Sequence, residues 1–207
     1  MSTASYPKIG TGAAAIAEKI ISEKDSPSIL AYARQLRHDR DSTIIKAARV
    51  LDEVVSRKPE MGTGVVSTLV QGLFSSHPRV VQMSATALPA VARVSPAKVA
   101  KHLVEIQENF QTASEAAQTG IVRTYVALCL ASVSYQRKLE HVFQQLLTDA
   151  SAEQLAVWSD ILLPALKGEP YASCRAIVED RLERLPRDLA HGVAMGLGIK
   201  LRPAMAG

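Results

Sequence analysis

Apolar residues recur along this chain at steps of three and four, the spacing that places them on one face of an α-helix. The clearest stripe steps from Val99 to Leu103, Ile106 and Phe110. Similar stripes run from about residue 12 to residue 201, and short breaks rich in Pro, Gly, Ser and Asp separate them. The pattern therefore predicts an all-α chain.

The breaks arrange the stripes as an N-terminal capping helix over residues 12–23, followed by about five antiparallel helix pairs. We expect one domain over residues 12–203, with flexible ends at 1–11 and 204–207. The predicted first and second helices of the pairs cover 26–38 with 41–59, 64–75 with 78–94, 96–110 with 112–132, 139–146 with 151–166, and 171–185 with 186–201.

Capping residues mark where several of these helices begin. Ser26 followed by Pro27 is an N-cap with proline in the first turn, where the missing N–H costs nothing. Asp41 is the N-cap predicted for the second helix of the first pair. Two capping boxes, Thr112 to Glu115 and Ser151 to Gln154, are predicted to open later helices.

Two prolines are predicted to bend second helices. Pro89 lies inside the second helix of the second pair, where it removes one backbone hydrogen bond and clashes with the preceding turn. Pro164 follows 75 residues later in a similar setting, between Leu163 and Ala165. We interpret the two prolines as a shared means of curvature, with chance placement as the alternative.

The segment 77–94 recurs in weaker form earlier in the chain. Ser84-Ala85 and Leu88 match Ala47-Ala48 and Leu51, an offset of 37 residues. Self-similarity at a fixed period of this size is typical of stacked helix pairs. The chain is therefore predicted to be an α-solenoid, in which each pair contacts only its neighbours.

The same segment resembles the start of the second helix in a HEAT repeat. The matching residues are Pro78, Val80, Ser84-Ala85 and Ala87-Leu88, while His77 stands at the family's acidic position and Val81 at its arginine position. The resemblance covers about residues 26–201 as a pattern. It implies a HEAT-like superhelix without pointing to a particular member of the family.

Composition agrees with close helix packing. Hydrophobic residues make up 47% of the 207 positions but aromatic residues only 4%, so the core is expected to consist of small and medium side chains. No apolar run approaches the roughly 20 residues that a membrane span needs, and residues 1–11 do not resemble a secretory signal. We expect a cytoplasmic protein with no membrane contact.

No recognisable motif for catalysis, cofactor binding or metal binding is present. Cys129 and Cys174 lie within predicted helices without a metal-binding spacing, which favours buried free thiols. None of the five histidines is spaced as one of a ligand pair, and His38 and His77 are expected to bind free carbonyls at the ends of first helices. We therefore expect a protein that is not an enzyme and that holds no cofactor or metal.

A polar, mainly cationic ridge lies opposite the buried stripes of the second helices, on the side that is concave in a solenoid. The net charge of +4 and the pI near 9.1 permit an acidic partner without requiring one. We interpret the ridge as the binding surface for a protein or peptide partner, including an acidic one, with a plain solvated face as the alternative. Its members are Lys46, Arg49, Glu53, Arg79, Gln82, Thr86, Arg93 and Arg123.

A second hypothesis is that the ridge binds nucleic acid. Some HEAT-like proteins are DNA glycosylases, and the resemblance draws attention to Tyr125, Trp158 and Asp160, two aromatic residues and a carboxylate. Trp158 shares the apolar stripe of its helix, which favours a place in the core. Asp52 and Glu53 interleave with the ridge cations, and no aromatic residues alternate with them to stack on bases.

The last predicted helix pair is a candidate for association. Its final helix is apolar or small on nearly all sides, with Val193, Met195 and Leu197 as the proposed association face. Gly192 and Gly196 are four residues apart and would let another backbone approach closely. We expect a second copy or a partner to cover this helix. The alternative is that the helix frays and the chain from Pro203 folds back over it.

Overall fold

A computed structural model describes residues 11–199, which form twelve α-helices and three 3₁₀-helices with no β-strand among them. The segments predicted to be flexible, 1–11 and 204–207, lie outside the described residues except for Thr11, where the first helix begins. The α-helices are α1 Thr11–Glu23, α2 Ser26–Gln35, α3 Asp41–Arg57, α4 Val66–Leu73, α5 Pro78–Val94, α6 Pro96–Ala100, α7 Leu103–Glu108, α8 Glu115–Ala131, α9 Val133–Asp149, α10 Ala152–Leu162, α11 Glu169–Leu182 and α12 Arg187–Gly196.

The second helices follow a regular period. Helices α3, α5, α8 and α10 begin at residues 41, 78, 115 and 152, so each start lies 37 residues after the one before. The first three of these helices are each 17 residues long. The all-α class, the pairing of helices and the offset seen in the sequence are confirmed.

The described chain divides into two compact units, the first ending at Thr124 and the second beginning at Tyr125, inside α8. In the first unit, α1 and α2 pack on α3, α3 packs on α5, and α4 packs on α5. Small residues allow these helices to approach closely: Ala47 and Ala48 of α3 have no exposed surface. At Gly72 of α4, a Cβ would overlap the Ser84 hydroxyl oxygen on α5.

In the second unit, α9 packs on α11 and α10 packs on α12. The rings of Tyr125 and Phe143 lie in its core with their centroids 6.2 Å apart and tilted by 58°, an arrangement that favours contact between the edge of one ring and the face of the other. Buried Gln136 donates to the carbonyls of Cys129 and Ala165 and accepts from the backbone N–H of Lys167. One side chain thus ties the C-terminal part of α8 to the 3₁₀-helix Leu163–Ala165 and to the link that follows it.

The predicted helix over 96–110 is broken into two. Helix α6 ends at Ala100, α7 begins at Leu103, and Phe110 starts a 3₁₀-helix, Phe110–Thr112. The stripe itself is correct, because its four apolar residues are all buried. The spacing of apolar residues predicts which side chains face the core. It cannot reveal a break between α6 and α7 when the apolar residues on both sides of the break still face the same core.

Three predicted N-caps are wrong by one or two residues. Asp25, rather than Ser26, caps α2 by accepting a hydrogen bond from the backbone N–H of Ser28 at 3.0 Å. Ser114, rather than Thr112, precedes α8 and accepts from the N–H of Ala117 at 3.4 Å. Asp41 lies inside the first turn of α3. The box at Ser151 is confirmed, with Gln154 as its reciprocal partner.

Both histidines expected at helix C-termini instead precede second helices. The Nδ1 atom of His77 accepts from the N–H of Arg79 at 3.2 Å and caps α5, and Nδ1 of His38 accepts from the N–H of Arg40 at 3.0 Å. The links between helices are short here, so a residue that follows one helix also precedes the next. An unbound N–H competes for the imidazole as strongly as an unbound carbonyl does.

The two prolines do not play the same role. Pro89 lies inside α5 as predicted. Helix α10 ends at Leu162, however, and Pro164 belongs to the 3₁₀-helix Leu163–Ala165 that follows it. A proline cannot donate the backbone hydrogen bond that would continue the α-helix, which agrees with the end of α10 two residues before Pro164.

The last helix is shorter than predicted. Helix α12 ends at Gly196, and Gly198 adopts a left-handed conformation with φ of +68°. The N–H of Ile199 donates to the carbonyl of Ala194 at 2.8 Å, and that of Gly198 to Met195 at 3.1 Å. These bonds close the helix as a glycine C-cap does.

Candidate interaction surface

The ridge residues all lie in the first unit, on the exposed sides of α3, α5 and the part of α8 that ends at Thr124. We call these eight residues the second-helix face. Apolar residues of the same helices, such as Leu51 and Leu88, fill the core, so the polar residues are left facing solvent. Lys46, Arg49, Gln82, Thr86, Arg93 and Arg123 are exposed, and Glu53 and Arg79 are half-buried.

Three residues of the second-helix face occupy equivalent positions in successive helices. Arg49, Thr86 and Arg123 are each the ninth residue of their helix, because α3, α5 and α8 begin at residues 41, 78 and 115. All three are exposed. The repeat period therefore produces a row with a cation at each end and a hydroxyl between them.

An ion pair joins α3 to α5 within this face. Nη2 of Arg79 lies 3.4 Å from Oδ2 of Asp52, and Nη1 of Arg79 donates to the amide oxygen of Gln82 at 2.8 Å. Burial raises the pKa of the Asp52 carboxyl, although the positive charge of Arg79 opposes that shift. Arg79 is thus held in place by its own neighbours and has little freedom to turn toward a partner.

The carboxylate of Glu53 is also neutralised within the chain. It lies 2.9 Å from Nη2 of Arg57, whose Nη1 lies 2.9 Å from the carboxylate of Glu18 on α1. Arg57 thereby links α1 to α3. The two acidic residues that interleave with the ridge cations, Asp52 and Glu53, are consequently both paired.

Four cations of the second-helix face have no such partner. Neither a side-chain hydrogen bond nor a salt bridge joins Lys46, Arg49, Arg93 or Arg123 to any other residue between 11 and 199. Because the nearby carboxylates are paired with other arginines, the face carries an uncompensated positive charge. Such a surface attracts carboxylates or phosphates from solution.

The residues considered for base excision are not brought together on a surface. Tyr125 is buried, with burial raising the pKa of its phenol far above the usual value, and Trp158 is only 2% exposed. Asp160 is exposed. The two rings serve the core of the second unit, so neither is available to stack on an extruded base.

Both thiols are free and buried, as the sequence predicts. Burial raises the pKa of Cys129 and of Cys174 to about 12 in each case. Among residues 11–199 no group of three or more His, Cys, Asp and Glu side chains could hold a metal ion. No helix in the same range is long and apolar enough to cross a membrane.

The residues proposed for association at the C-terminal end do not share one face of α12. Val193 is 7% exposed and belongs to the core, whereas Met195 is 72% exposed. Leu197 lies half-buried just after the helix. A Cβ built at Gly192 or at Gly196 would meet no described atom within 4 Å. The exposed side of α12 is therefore made of Met195, the two glycines and polar residues.

The sequence reasoning missed the side chains that connect separate turns. Gln136 is one of them, and Arg181 is another: its guanidinium donates to the carbonyls of Leu147 and Ala150 and so closes the C-terminus of α9. Gln136 is a buried polar residue three positions before Leu139, on the same side of α9, but nothing in the sequence identifies its partners 7, 29 and 31 residues away.

No protein-family model matches this chain, and no curated protein matches it. Among solved structures, it is similar to one described as an engineered protein, a target of the Northeast Structural Genomics Consortium. The TM-score is 0.61 at 16% identity, over 90% of this chain and 85% of that chain. At this identity the likeness shows the fold alone. The all-helical, repeat-like fold is thus supported, and the HEAT-like assignment stays a prediction from residues 77–88.

Proposed function

We propose that this protein is a non-enzymatic, HEAT-like scaffold that binds a protein partner through its second-helix face. The observation that carries the proposal is the set of four unpaired cations, Lys46, Arg49, Arg93 and Arg123, exposed on three successive second helices. The nearby Gln82 and Thr86 add groups that can hydrogen-bond to a polypeptide. We further propose a cytoplasmic location, where free thiols such as Cys129 remain reduced.

A binding role accounts for the charge arrangement better than a solvated face does. Lysine and arginine on a purely solvated surface commonly have carboxylates interspersed among them. Here the interspersed carboxylates are already paired, Asp52 with Arg79 and Glu53 with Arg57. The remaining cations repel one another weakly, and the carboxylates of a partner would relieve that repulsion.

Display of random peptides would test the proposal. Peptides selected on the wild-type protein are compared on a variant in which the four unpaired cations are changed to glutamate. The matched control changes four other exposed cations in the same way, and these belong to helices other than α3, α5 and α8: Arg34, Arg137, Lys138 and Arg187. Circular dichroism confirms that both variants fold.

We expect the selected peptides to bind the wild type and the control variant, and to lose binding to the face variant. Peptides that bind all three proteins equally would place the binding surface elsewhere and contradict the proposal. Failure to select any peptide would contradict it as well. If the face variant loses binding to duplex DNA instead of to peptides, the face serves nucleic acid.

A further inference from the structure

We infer that the partner segment on the second-helix face is extended and acidic, crosses α3, α5 and α8, and places one carboxylate on Arg49 and another on Arg123. The inference rests on the proposed function and specifies the chemistry of its partner. It follows from three observations. These are the period of the second helices, the hydrogen bonds that Gln82 and Thr86 already make, and the positive charge of the unpaired cations.

The repeat period sets the distance between the two arginines. Arg49 and Arg123 are both the ninth residue of a second helix. Helix α5 packs on α3 and also meets α8, where Gly120 lies against Ala85. Packed helices lie about 8–10 Å apart, so two spacings separate the arginine positions by about 20 Å. An extended chain advances about 3.3 Å per residue. Carboxylates about six residues apart in the partner would therefore reach both arginines.

A separation of six residues also agrees with the alternation of side chains along an extended partner segment. Successive side chains of an extended segment point to opposite sides, and residues separated by an even number point to the same side. Two carboxylates six residues apart thus both face the second-helix face, with Thr86 near the midpoint of the span. A helical partner would cover the same distance only with about thirteen residues, at 1.5 Å per residue.

The middle of the row fits the backbone of such a segment. Arg79 donates to the amide oxygen of Gln82, which leaves the NH₂ group of Gln82 as the free donor. The hydroxyl of Thr86 donates to the carbonyl of Gln82, so its oxygen remains an acceptor. A donor and an acceptor side by side match the carbonyl and N–H groups that an extended polypeptide presents.

The same face fits nucleic acid less well. Nucleic acid presents regularly spaced phosphates, and strong binding requires many cations along its backbone. Here the unpaired cations number four, and the carboxylates of Asp52 and Glu53 lie among them. The only aromatic residue within α3, α5 and α8 is buried Tyr125, so these helices offer no ring on which a base could stack.

Labelled synthetic peptides would test the inference by fluorescence anisotropy. The spaced probe carries two Glu-Glu pairs whose first members are six residues apart, with neutral residues between the pairs. The contiguous probe has the same composition with all four glutamates together, and the basic probe replaces glutamate with lysine. We expect the spaced probe to bind most tightly and the basic probe not to bind.

Variants of single arginines locate the contacts. Arg49→Ala and Arg123→Ala should each weaken binding of the spaced probe by up to about fivefold, the size of one exposed ion pair. Arg34→Ala removes an exposed arginine of α2 in the same unit and should leave binding unchanged. Equal effects of all three variants would contradict the assigned contacts.

The outcomes separate the inference from the proposed function. If peptides selected by display bind the face but carry no acidic residues at this spacing, the scaffold function stands and the inference is overturned. Equal binding of the spaced and contiguous probes would overturn the extended crossing. Tighter binding of a duplex DNA of equal charge would overturn the acidic protein segment. If no peptide depends on the face at all, the proposed function itself fails.

Discussion

Gly120 of α8 lies against Ala85 of α5, so close that a Cβ at Gly120 would come within 2.5 Å of the Ala85 Cβ and 2.6 Å of its Cα. It would also lie 3.0 Å from the Ala85 carbonyl oxygen. Pro89, four residues after Ala85, has no N–H to donate to that carbonyl. The proline and the glycine together let α8 approach α5 where the carbonyl lacks its usual helical partner.

We predict that Gly120→Ala destabilises the protein by about 1–3 kcal/mol. The added methyl group meets the backbone of α5, which cannot move aside as a flexible side chain could, and overpacking of this kind costs more than the gain in helix propensity returns. Urea unfolding followed by circular dichroism measures the change in the free energy of unfolding.

Gly192→Ala is the matched control for this substitution. It lies inside α12, and a Cβ there meets no described atom within 4 Å. Replacing glycine by alanine at an open helical position should stabilise the protein by up to about 1 kcal/mol. Effects of the same sign at Gly120 and Gly192 would contradict the close approach of α8 to α5.

The architecture could be predicted from the sequence because apolar residues at steps of three and four indicate both that a segment is helical and which of its sides is buried. The stripe through Val99 and Phe110 identified buried side chains correctly, although the backbone between them is broken. Cap assignments failed where several polar residues lie side by side, as at Asp25 and Ser26. Which oxygen reaches a free N–H depends on the path of the chain, and the residue type does not reveal that path.

The candidate surface was predictable only in part. Exposure of Arg49 and Arg123 follows from the stripe, because they lie opposite it. The pairing of Arg79 with Asp52, 27 residues away, depends on how α3 and α5 pack, and it decides which cations remain unpaired. At the C-terminal end, a left-handed Gly198 closes α12 early. The sequence pattern could not distinguish a glycine that ends the helix from one that lies inside it.

Gln136→Met should cost about 2–4 kcal/mol of stability. Methionine has a similar length but would leave the carbonyls of Cys129 and Ala165 and the N–H of Lys167 without the hydrogen bonds they now make. Buried groups left unsatisfied cost about 1–3 kcal/mol each. Gln145→Met, at an exposed position of the same helix, should change stability by less than about 0.5 kcal/mol. A similar small effect at Gln136 would mean that solvent satisfies those groups.

His77→Ala should destabilise the protein by about 1 kcal/mol, the usual cost of losing an N-cap. His77→Asn should restore most of that stability, because its side-chain oxygen can accept from the N–H of Arg79 as Nδ1 of the imidazole does. Thermal unfolding compares the two variants. His141→Ala, at an exposed position of α9, serves as the control and should have little effect. Equal losses for Ala and Asn would assign the role to packing of the imidazole.

The two thiols should be unreactive until the protein unfolds. With pKa values near 12, Cys129 and Cys174 carry about one thiolate in ten thousand at pH 8. Ellman's reagent should modify neither thiol in buffer and both in urea. The folded state retains these protons to higher pH than the unfolded state, so stability should fall as the pH rises between about 9 and 12. Rapid modification of the folded protein would contradict the burial of both thiols.

Met195→Glu should reduce any self-association of the protein without lowering its stability. The side chain of Met195 is 72% exposed, and the adjoining Gly192 and Gly196 leave open space beside it. A second copy packed there would bury the methionine, and glutamate would oppose that burial by placing a charge in the contact.

Val104→Glu is the control, because Val104 is a comparably exposed apolar residue on α7 of the other unit. Light scattering should show association for the wild type and for Val104→Glu and a loss of association for Met195→Glu. Val193→Glu should instead unfold the second unit, since Val193 is buried. A wild-type protein that is monomeric at all concentrations would contradict self-association through α12.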